Sequence, residues 1–479
     1  MSSTTLLRTA PSTTLPPAHV APGAGAGAPR PDPYSGQRMR RSLGRHAISL
    51  IGWTSIAMVL AIYFADRGTS GWDSLKDAMK SAGILAGLVS ADLMCMMVLL
   101  AARIPFVEKL LGQDKAIGKH SGLGTWVVGG VLAHGVLLTW SYAMSANTTF
   151  LHEFTQLWTW GDYALAVISF GLLLAVGLTS ALLGIRKHLP YELWHAVHLT
   201  TYVAVALSIP HQFSMDSMFE STWAKAYWIG LYAFTGFCLL AYRVVLPMMV
   251  SSSHRLVVTA VTPEGPDLFS IEMTGHHLDQ LDAKGGQFLN WRFWTPGLAL
   301  QSHPFSLSAA PDGNRLRITV KVAGRGTARM VRLRPGTRVS IEGPYGAFTD
   351  AARTRQAVVM VGSGSGIAPI RSLLEGTTTV PGRSLVVLRA SRGEQIVHFD
   401  EFRALCRERG VQLVTLVGGR GDSWTPASAA GVTLVQLAPW IADADVFVCG
   451  PRAWADQVLD EAGRFGVHPS QMHHETFAL

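Results

Sequence analysis

A chain of 479 residues is longer than one hydrophobic core usually supports, so at least two domains are expected. Hydrophobic residues make up 48% and charged residues 15%, and the mean hydropathy is +0.25, a balance unusual for a wholly soluble protein. The formal charge of +8 comes with no basic helix or aromatic-interleaved basic stripe, which argues against nucleic acid; Cys95, Cys238, Cys406 and Cys449 stand singly, which excludes a disulfide framework, a CxxC zinc site and an iron–sulfur ligand run.

Residues 1–45 are rich in Ser, Thr, Pro, Ala and Gly and are expected to be a disordered tail. The tail is too long and too polar ahead of the first apolar run, near Ala47, to be a secretory signal. Apolar stretches near 47–65, 82–102, 120–145, 162–183, 193–213 and 224–249 have spanning length and no polar face. They predict a six-helix, all-α transmembrane domain over 46–250. Arg38, Arg40, Arg41 and Arg45 precede the first span; Arg103, Lys109, Lys115 and Lys119 fill the second connection, and Arg186 and Lys187 the fourth. The third connection has Glu153 and no Lys or Arg, and the fifth has Asp216 and Glu220. The positive-inside rule then puts both termini in the cytoplasm of a multi-pass plasma-membrane protein.

Four histidines interrupt the apolar pattern: His120 and His134 on the third span, His198 and His211 on the fifth. Each pair is separated by roughly 20 Å of helix, within a hydrocarbon layer of about 30 Å. An imidazole facing lipid is costly, so such residues read as functional. The third and fifth spans run the same way, which sets His120 level with His198 and His134 with His211. Each level could clamp a haem iron from both faces, giving two b-type haems. The His198–His211 step rotates away from one helix face; either Pro210 re-aims His211, or His195 replaces His198 as inner ligand. His46, His152 and His188 lie at span ends or in connections and read as interfacial. Gly122, Gly124, Gly129, Gly130 and Gly135 suit either close approach of a flat macrocycle or plain helix packing.

From His254 the pattern becomes short alternating strands, an antiparallel barrel or sandwich of roughly 100 residues. After Ala357 strands alternate with helices, a parallel α/β sheet. Gly362-Ser-Gly-Ser-Gly follows a strand and opens a helix, where amides and the helix dipole favour a pyrophosphate, although the spacing is not the dinucleotide fingerprint.

His303-Pro-Phe-Ser resembles the flavin motif of ferric reductases and NADPH oxidases. Gly285-Gly-Gln-Phe, Gly324-Arg-Gly-Thr and Gly343-Pro-Tyr-Gly resemble segments of ferredoxin–NADP reductase-like flavin barrels. Gly362-Ser-Gly-Ser-Gly-Ile-Ala-Pro, Cys449-Gly-Pro and Glu475-Thr-Phe resemble the nicotinamide half, and the H-x13-H and H-x12-H spacings resemble the oxidase haem sites. The resemblance covers about 47–479. It implies a transmembrane haem domain, an FAD-binding β-barrel over 251–350 and an NAD(P)-binding α/β domain over 351–479. Gln287, His303, Pro304, Phe305 and Ser306 would hold the flavin, and Gly326 and Thr327 its pyrophosphate, Thr327 through its hydroxyl. Gly362, Gly364, Gly366, Pro369, Gly450 and Pro451 would cradle NAD(P)H. Cys449 would lie near the nicotinamide, or be a small buried cysteine ending a strand. Phe477 would stack on the flavin and leave when nicotinamide enters. Arg392 would meet a 2′-phosphate or be a solvated arginine.

The implied activity moves electrons from cytoplasmic NAD(P)H through FAD and two haems to an extracytoplasmic acceptor: a ferric chelate, dioxygen, quinone or a redox protein. Animal NADPH oxidases carry another histidine one turn beyond the outer ligand, where this chain has Leu138. That departure weighs against dedicated superoxide production and favours metal reduction or a protein acceptor. A transporter or haem sensor regulated by a flavin domain, and a membrane-tethered flavoenzyme serving a cytosolic ferredoxin, are the other readings.

Overall fold

The computed structural model describes residues 35–67, 71–111, 113–159, 161–181, 189, 191–214, 217–299 and 301–476. The chain divides into two compact units, Leu43–Val245 and a second that contains Leu246–Leu479. Most of the expected tail lies outside the described residues. Its last part does not: the first helix begins at Ser35 rather than near Ala47, because Gln37-Arg-Met-Arg-Arg supplies a run of good helix formers.

The first unit is helical. Its long helices are α1 (Ser35–Arg67), α2 (Leu75–Ala101), α3 (Gln113–Ala146), α4 (Tyr163–Ala181), α5 (Tyr191–Ser214) and α6 (Thr222–Leu240). Ser74 caps α2 by accepting the Asp77 amide at 3.2 Å. Among the described residues five stretches are long and apolar enough to cross a membrane: His46–Asp66, Leu75–Ala101, Ala116–Ala146, Tyr163–Ser180 and Thr222–His254. Helix α5, the expected fifth span, is not one of them. Its three histidines, Gln212 and several hydroxyl residues lower its hydropathy.

One buried cluster joins Val59, Ile62 and Tyr63 of α1 to Leu88 of α2 and Trp228 of α6. A second joins Met94, Val127, Leu173 and Ala204, one from each of α2, α3, α4 and α5. Small residues let these helices approach. A Cβ on Gly130 would fall 2.1 Å from Ser90 Oγ, and one on Gly177 would fall 3.0 Å from Val128.

The second unit holds three sheets. Strands β1 (Val257–Pro263), β2 (Leu268–Thr274) and β5 (Arg315–Lys321) form one antiparallel sheet; β4 (His303–Ser306), β3 (Phe288–Phe293) and β6 (Val339–Tyr345) form another. Single bridges, Val257 to Arg338 and Leu307 to Ile318, bring the outer strands of the two together. Their inward faces share one core around Trp291, Phe293, Ile271 and Ile318.

The third sheet is parallel, in the order β11 (Met472–Thr476), β10 (Ala444–Gly450), β7 (Ala357–Ser363), β8 (Ser384–Ala390), β9 (Gln412–Val417). Helices α7 (Ile367–Gly376), α8 (Phe399–Glu408) and α9 (Arg452–Arg464) connect or flank these strands. Strands β7 and β10 are buried along nearly their whole length, as a sheet covered on both faces requires.

Candidate functional site

The helical unit brings the four histidines together in the expected pairs. His120 faces His198 with ring centroids 6.0 Å apart, and His134 faces His211 at 6.3 Å. His195 is exposed, with its ring 6.4 Å from Trp194, while Trp194 stacks on His198 at 5.2 Å. Helix α5 runs unbroken through Pro210 to Ser214, so His211 reaches α3 without a gap in the helix.

Helix α2 fixes the rings on α3, a role the sequence did not reveal. His120 Nδ1 hydrogen-bonds the Met97 carbonyl at 3.0 Å, and His134 Nδ1 the Gly83 carbonyl at 2.9 Å. A carbonyl only accepts, so Nδ1 carries the proton on both rings and Nε2 keeps its lone pair for a metal. Gly87 is required beside them, because a Cβ there would lie 2.4 Å from His134 Nδ1.

The donor set suits an iron already held by a macrocycle. A metal–imidazole bond of about 2 Å on each side places facing ring centroids roughly 6 Å apart, the spacing both pairs show. Among the described residues no group of three or more His, Cys, Asp or Glu could hold a bare ion. Two imidazoles complete the coordination of a haem iron, which lacks only its axial ligands.

In the second unit β4 carries the expected flavin motif. Alternation puts His303 and Phe305 on one face, where their rings stack at 6.2 Å. Trp291 Nε1 donates to the Phe305 carbonyl at 3.0 Å and holds the strand. Ser306 Oγ and His303 Nε2 are buried and make no hydrogen bond among the described residues; buried polar atoms of this kind normally have a partner, so these two suit a ligand. Burial, and behind it the Arg292 guanidinium, pushes the His303 pKa below its ordinary value and keeps the ring neutral. Pro304 is exposed on the strand.

Gly326 lies beside His303, 3.1 Å from its Cε1 by an added Cβ. Two expected contacts are instead spent within the protein. The Thr327 hydroxyl accepts the Ala323 and Gly324 amides at 2.9 and 3.0 Å and donates to the Gly324 carbonyl. The short helix Arg325–Met330 leaves these amides in need of a cap, and Thr327 provides it. Gln287 Nε2 donates to the Gly346 carbonyl at 3.2 Å, and its Oε1 accepts the Lys284 amide at 2.9 Å, so both ends of the amide brace loops.

The parallel sheet reverses its order between β7 and β10, the place where open α/β sheets bind ligands. Gly362 pairs there with Cys449. Gly364 has φ +58°, and a Cβ on Gly366 would fall 2.2 Å from the Cys449 carbonyl oxygen. On Gly450 it would strike the Trp454 ring at 2.7 Å. Pro369 sits in the first turn of α7, where its missing amide costs no helix bond.

A cleft of about 290 Å³ opens at this point, lined by Ser363, Gly364, Ser365, Pro451, Arg389 and Arg420 among others. Arg392 is not part of its wall. It is 66% exposed and pairs with Glu394 at 3.4 Å. Arg389 and Arg420 were missed by sequence reasoning. Burial, then the neighbouring Arg420 charge, lowers the Arg389 pKa. Its Nη1 and Nη2 donate to the Ala390 and Gly419 carbonyls at 2.5 and 3.0 Å. Two adjacent guanidiniums without a carboxylate partner among the described residues make a seat for an anion.

Cys449 is fully buried in the core. Burial, reinforced by Glu475, pushes its thiol pKa well up, so it stays protonated and packs as a small apolar group. Glu475 itself is buried on β11, and its Oε1 lies 2.8 Å from an added Cβ on Gly346. Phe477 lies outside the described residues.

Residues 86–209 match the family described as the ferric reductase like transmembrane component, and residues 254–349 match an FAD-binding domain. The chain is a ferric-reductase-like membrane flavoprotein. Among similar proteins, the ferredoxin reductase component of 3-ketosteroid-9-alpha-monooxygenase from Rhodococcus rhodochrous is 27% identical over 237 residues, 47% of this chain and 66% of that protein. Ferredoxin–NADP reductase B of Sorangium cellulosum (strain So ce56) is 29% identical over 209 residues, 40% of this chain and 85% of that one. The FAD/NAD-binding domain of a Vibrio cholerae nitric oxide dioxygenase aligns with a TM-score of 0.38 at 20% identity, covering 47% of this chain and 99% of that domain. The protein is thus an oxidoreductase with a ferric-reductase-like transmembrane domain.

A charged network ties the flavin strands of this flavoprotein to the sheet that carries the cleft. Glu401 of α8 accepts Arg317 of β5 at 2.9 and 2.8 Å and forms an ion pair with Arg371 of α7 at 2.6 Å. Arg371 also donates to the Ser308 carbonyl, two residues beyond Ser306. Burial alone would raise the Glu401 pKa. The His398 and Arg317 hydrogen bonds, with the Arg371 and Arg317 charges, outweigh it and hold the carboxyl well below the usual carboxylate range. A carboxylate depressed in this way stabilises the fold above its unfolded pKa of about 4.3, and the contribution fades as pH falls through the folded value. Glu401→Gln is therefore expected to lower the thermal midpoint at neutral pH and to flatten its fall on acidification. Flavin fluorescence released from the full chain during heating reads both effects.

Proposed function

We propose that this protein passes electrons from NAD(P)H through FAD and two b-type haems across the plasma membrane to an acceptor on the outer side. The observation that carries the reading is the pair of facing imidazoles repeated at 6.0 and 6.3 Å. FAD couples a two-electron donor to one-electron haems. The protein's part is to bind and position. His120 and His198 hold the inner haem, and His134 and His211 the outer one, each α3 ring presenting Nε2 because α2 engages Nδ1. Phe305 and the neutral His303 flank the flavin, with Ser306 Oγ and His303 Nε2 as its hydrogen-bonding groups. Gly364 and Gly366 allow a dinucleotide pyrophosphate to approach the start of α7, and Arg389 and Arg420 offer positive charge to the nucleotide's phosphates.

This reading requires α5 to be the fifth of six spans, covered on its histidine face by α3, and the six antiparallel strands to close as a flavin barrel. Both termini are cytoplasmic, as the Arg and Lys distribution favours. Outward electron movement then gains about 2.3 kcal/mol per 100 mV of inside-negative potential. A ferric chelate or an extracytoplasmic redox protein is the favoured acceptor. Leu138 supports this, since it packs against Gly83 (2.9 Å from an added Cβ) and leaves no polar group one turn beyond His134.

The test is an anaerobic absorption spectrum of the purified full chain before and after NAD(P)H. Low-spin b-type bands that sharpen on addition of the nucleotide support the proposal. Material without Soret absorption after haem-replete expression refutes it, and haem that stays oxidised refutes the redox chain.

A further inference from the structure

Asp92 of α2 has no exposed surface, and it lies in a stretch long and apolar enough to cross a membrane. Its Oδ1 accepts the Ser55 hydroxyl of α1 at 2.6 Å and the Tyr227 hydroxyl of α6 at 3.5 Å. Those two hydroxyls are themselves 2.9 Å apart. Oδ2 is buried and accepts no hydrogen bond from the described residues. Two neutral donors on one oxygen are poor compensation for a buried charge, and no cationic side chain faces Asp92 among the described residues. An intramembrane carboxylate so placed is a functional group by default.

Its position along α2 suggests the function. The same helix supplies the Gly83 carbonyl to His134 and the Met97 carbonyl to His120. Asp92 lies between these points, about 14 Å from the first and about 8 Å from the second along the axis. Charges at such distances still interact in a medium that water does not enter. The iron–porphyrin core of a ferric haem held by two neutral imidazoles would carry one positive charge, which favours the ionised carboxylate, and reduction would remove that charge.

We propose that Asp92 is a redox-linked proton site, which rests on the two-haem reading given above. When an electron arrives from the flavin, ferric iron becomes ferrous and a proton from water forms an O–H bond at Asp92 Oδ2. When the electron moves on to the acceptor, that bond breaks and the proton returns to water. The net charge of the bundle is the same before and after each transfer. The other titratable groups around Asp92 are Cys95 on its own helix, Tyr227 and Tyr232 on α6, and, across α2, His120 and His134 of α3. Thiols and phenols ionise near pH 8.5 and 10 even in water, and the histidines are committed to iron. Asp92 is therefore the group left to change charge with the haems.

Spectroelectrochemical titration of the haems in the full chain, in lipid nanodiscs and across the neutral pH range, tests this. The wild-type midpoint of at least one haem is expected to fall as pH rises, toward a tenfold change in the reduction equilibrium per pH unit. Asp92→Asn, which keeps the shape and an acceptor for Ser55, is expected to flatten that slope. A flat wild-type profile, or an unchanged slope in Asp92→Asn, overturns the inference and leaves the haem reading intact. Absence of haem bands overturns both, and that failure is visible before any titration. Should Asp92→Asn not fold, Tyr227→Phe withdraws one donor from Oδ1 and disfavours the ionised form. It is expected to move the onset of the slope to higher pH, and an unmoved profile overturns the inference.

Discussion

Replacing His134 with Ala is expected to reduce the haem content from two per chain to one and to abolish delivery of electrons to an external acceptor. The ring that faces His211 at 6.3 Å disappears, and the Gly83 carbonyl loses its hydrogen bond. Altering a mere partner of a metal ligand costs about 10–100-fold in affinity or activity, and loss of the ligand itself should exceed that. Flavin reduction by NAD(P)H and reduction of the remaining haem should survive. Haem extraction, followed by rapid-mixing spectra at the flavin and haem bands, separates these steps. His195→Ala is the matched control, because that side chain is exposed. Equal haem loss in both variants would defeat the assignment.

Gly366→Val is expected to lower kcat/KM for NAD(P)H by about a hundredfold, a cost typical of a displacement near 1 Å at a reacting centre. The added Cβ would overlap the Cys449 carbonyl and the Gly450 amide, at 2.2 and 2.7 Å, which are backbone atoms of a fully buried strand. Neither side can yield as a flexible side chain would. The turn must move away from β10, and the cleft at Gly364 and Pro451 changes shape. Haem spectra after chemical reduction should match wild type, since the substitution lies in the second unit and the histidine pairs in the first. Unchanged NAD(P)H kinetics would show that this turn is not where the nucleotide binds.

The histidine pairs were legible because they violate their surroundings: a polar ring in an apolar span signals itself, and its level follows from loop charge. Strand His303–Ser306 and the turn at Gly362 were equally legible, as local patterns with local geometry. What stayed hidden is carried by backbone or by distant pairing. Met97 and Gly83 act through carbonyls, which every residue possesses, so no residue type marks them. Arg389 and Arg420 lie on separate segments and meet only once β8 and β9 align. Sequence proximity favoured Arg392 instead, and its exposure and its pairing with Glu394 place it outside the cleft wall. Thr327 and Gln287 were assigned outward roles, yet short-range hydrogen bonds claimed them first. The tail was read too long because composition alone cannot see a helix that begins in a basic flank, and α5 carries the very histidines that lower its hydropathy.

The interval from Gly83 to Met97 equals that from His120 to His134, and the two helices pair them in opposite order. The vertical gap between the two histidine pairs is therefore gauged twice, once by each helix, like a beam bolted at both ends. Sliding α2 along α3 by a single residue would loosen both bolts together. Evolution can retune either pair through its immediate neighbours, but it cannot lengthen the step between them without rewriting two helices at once.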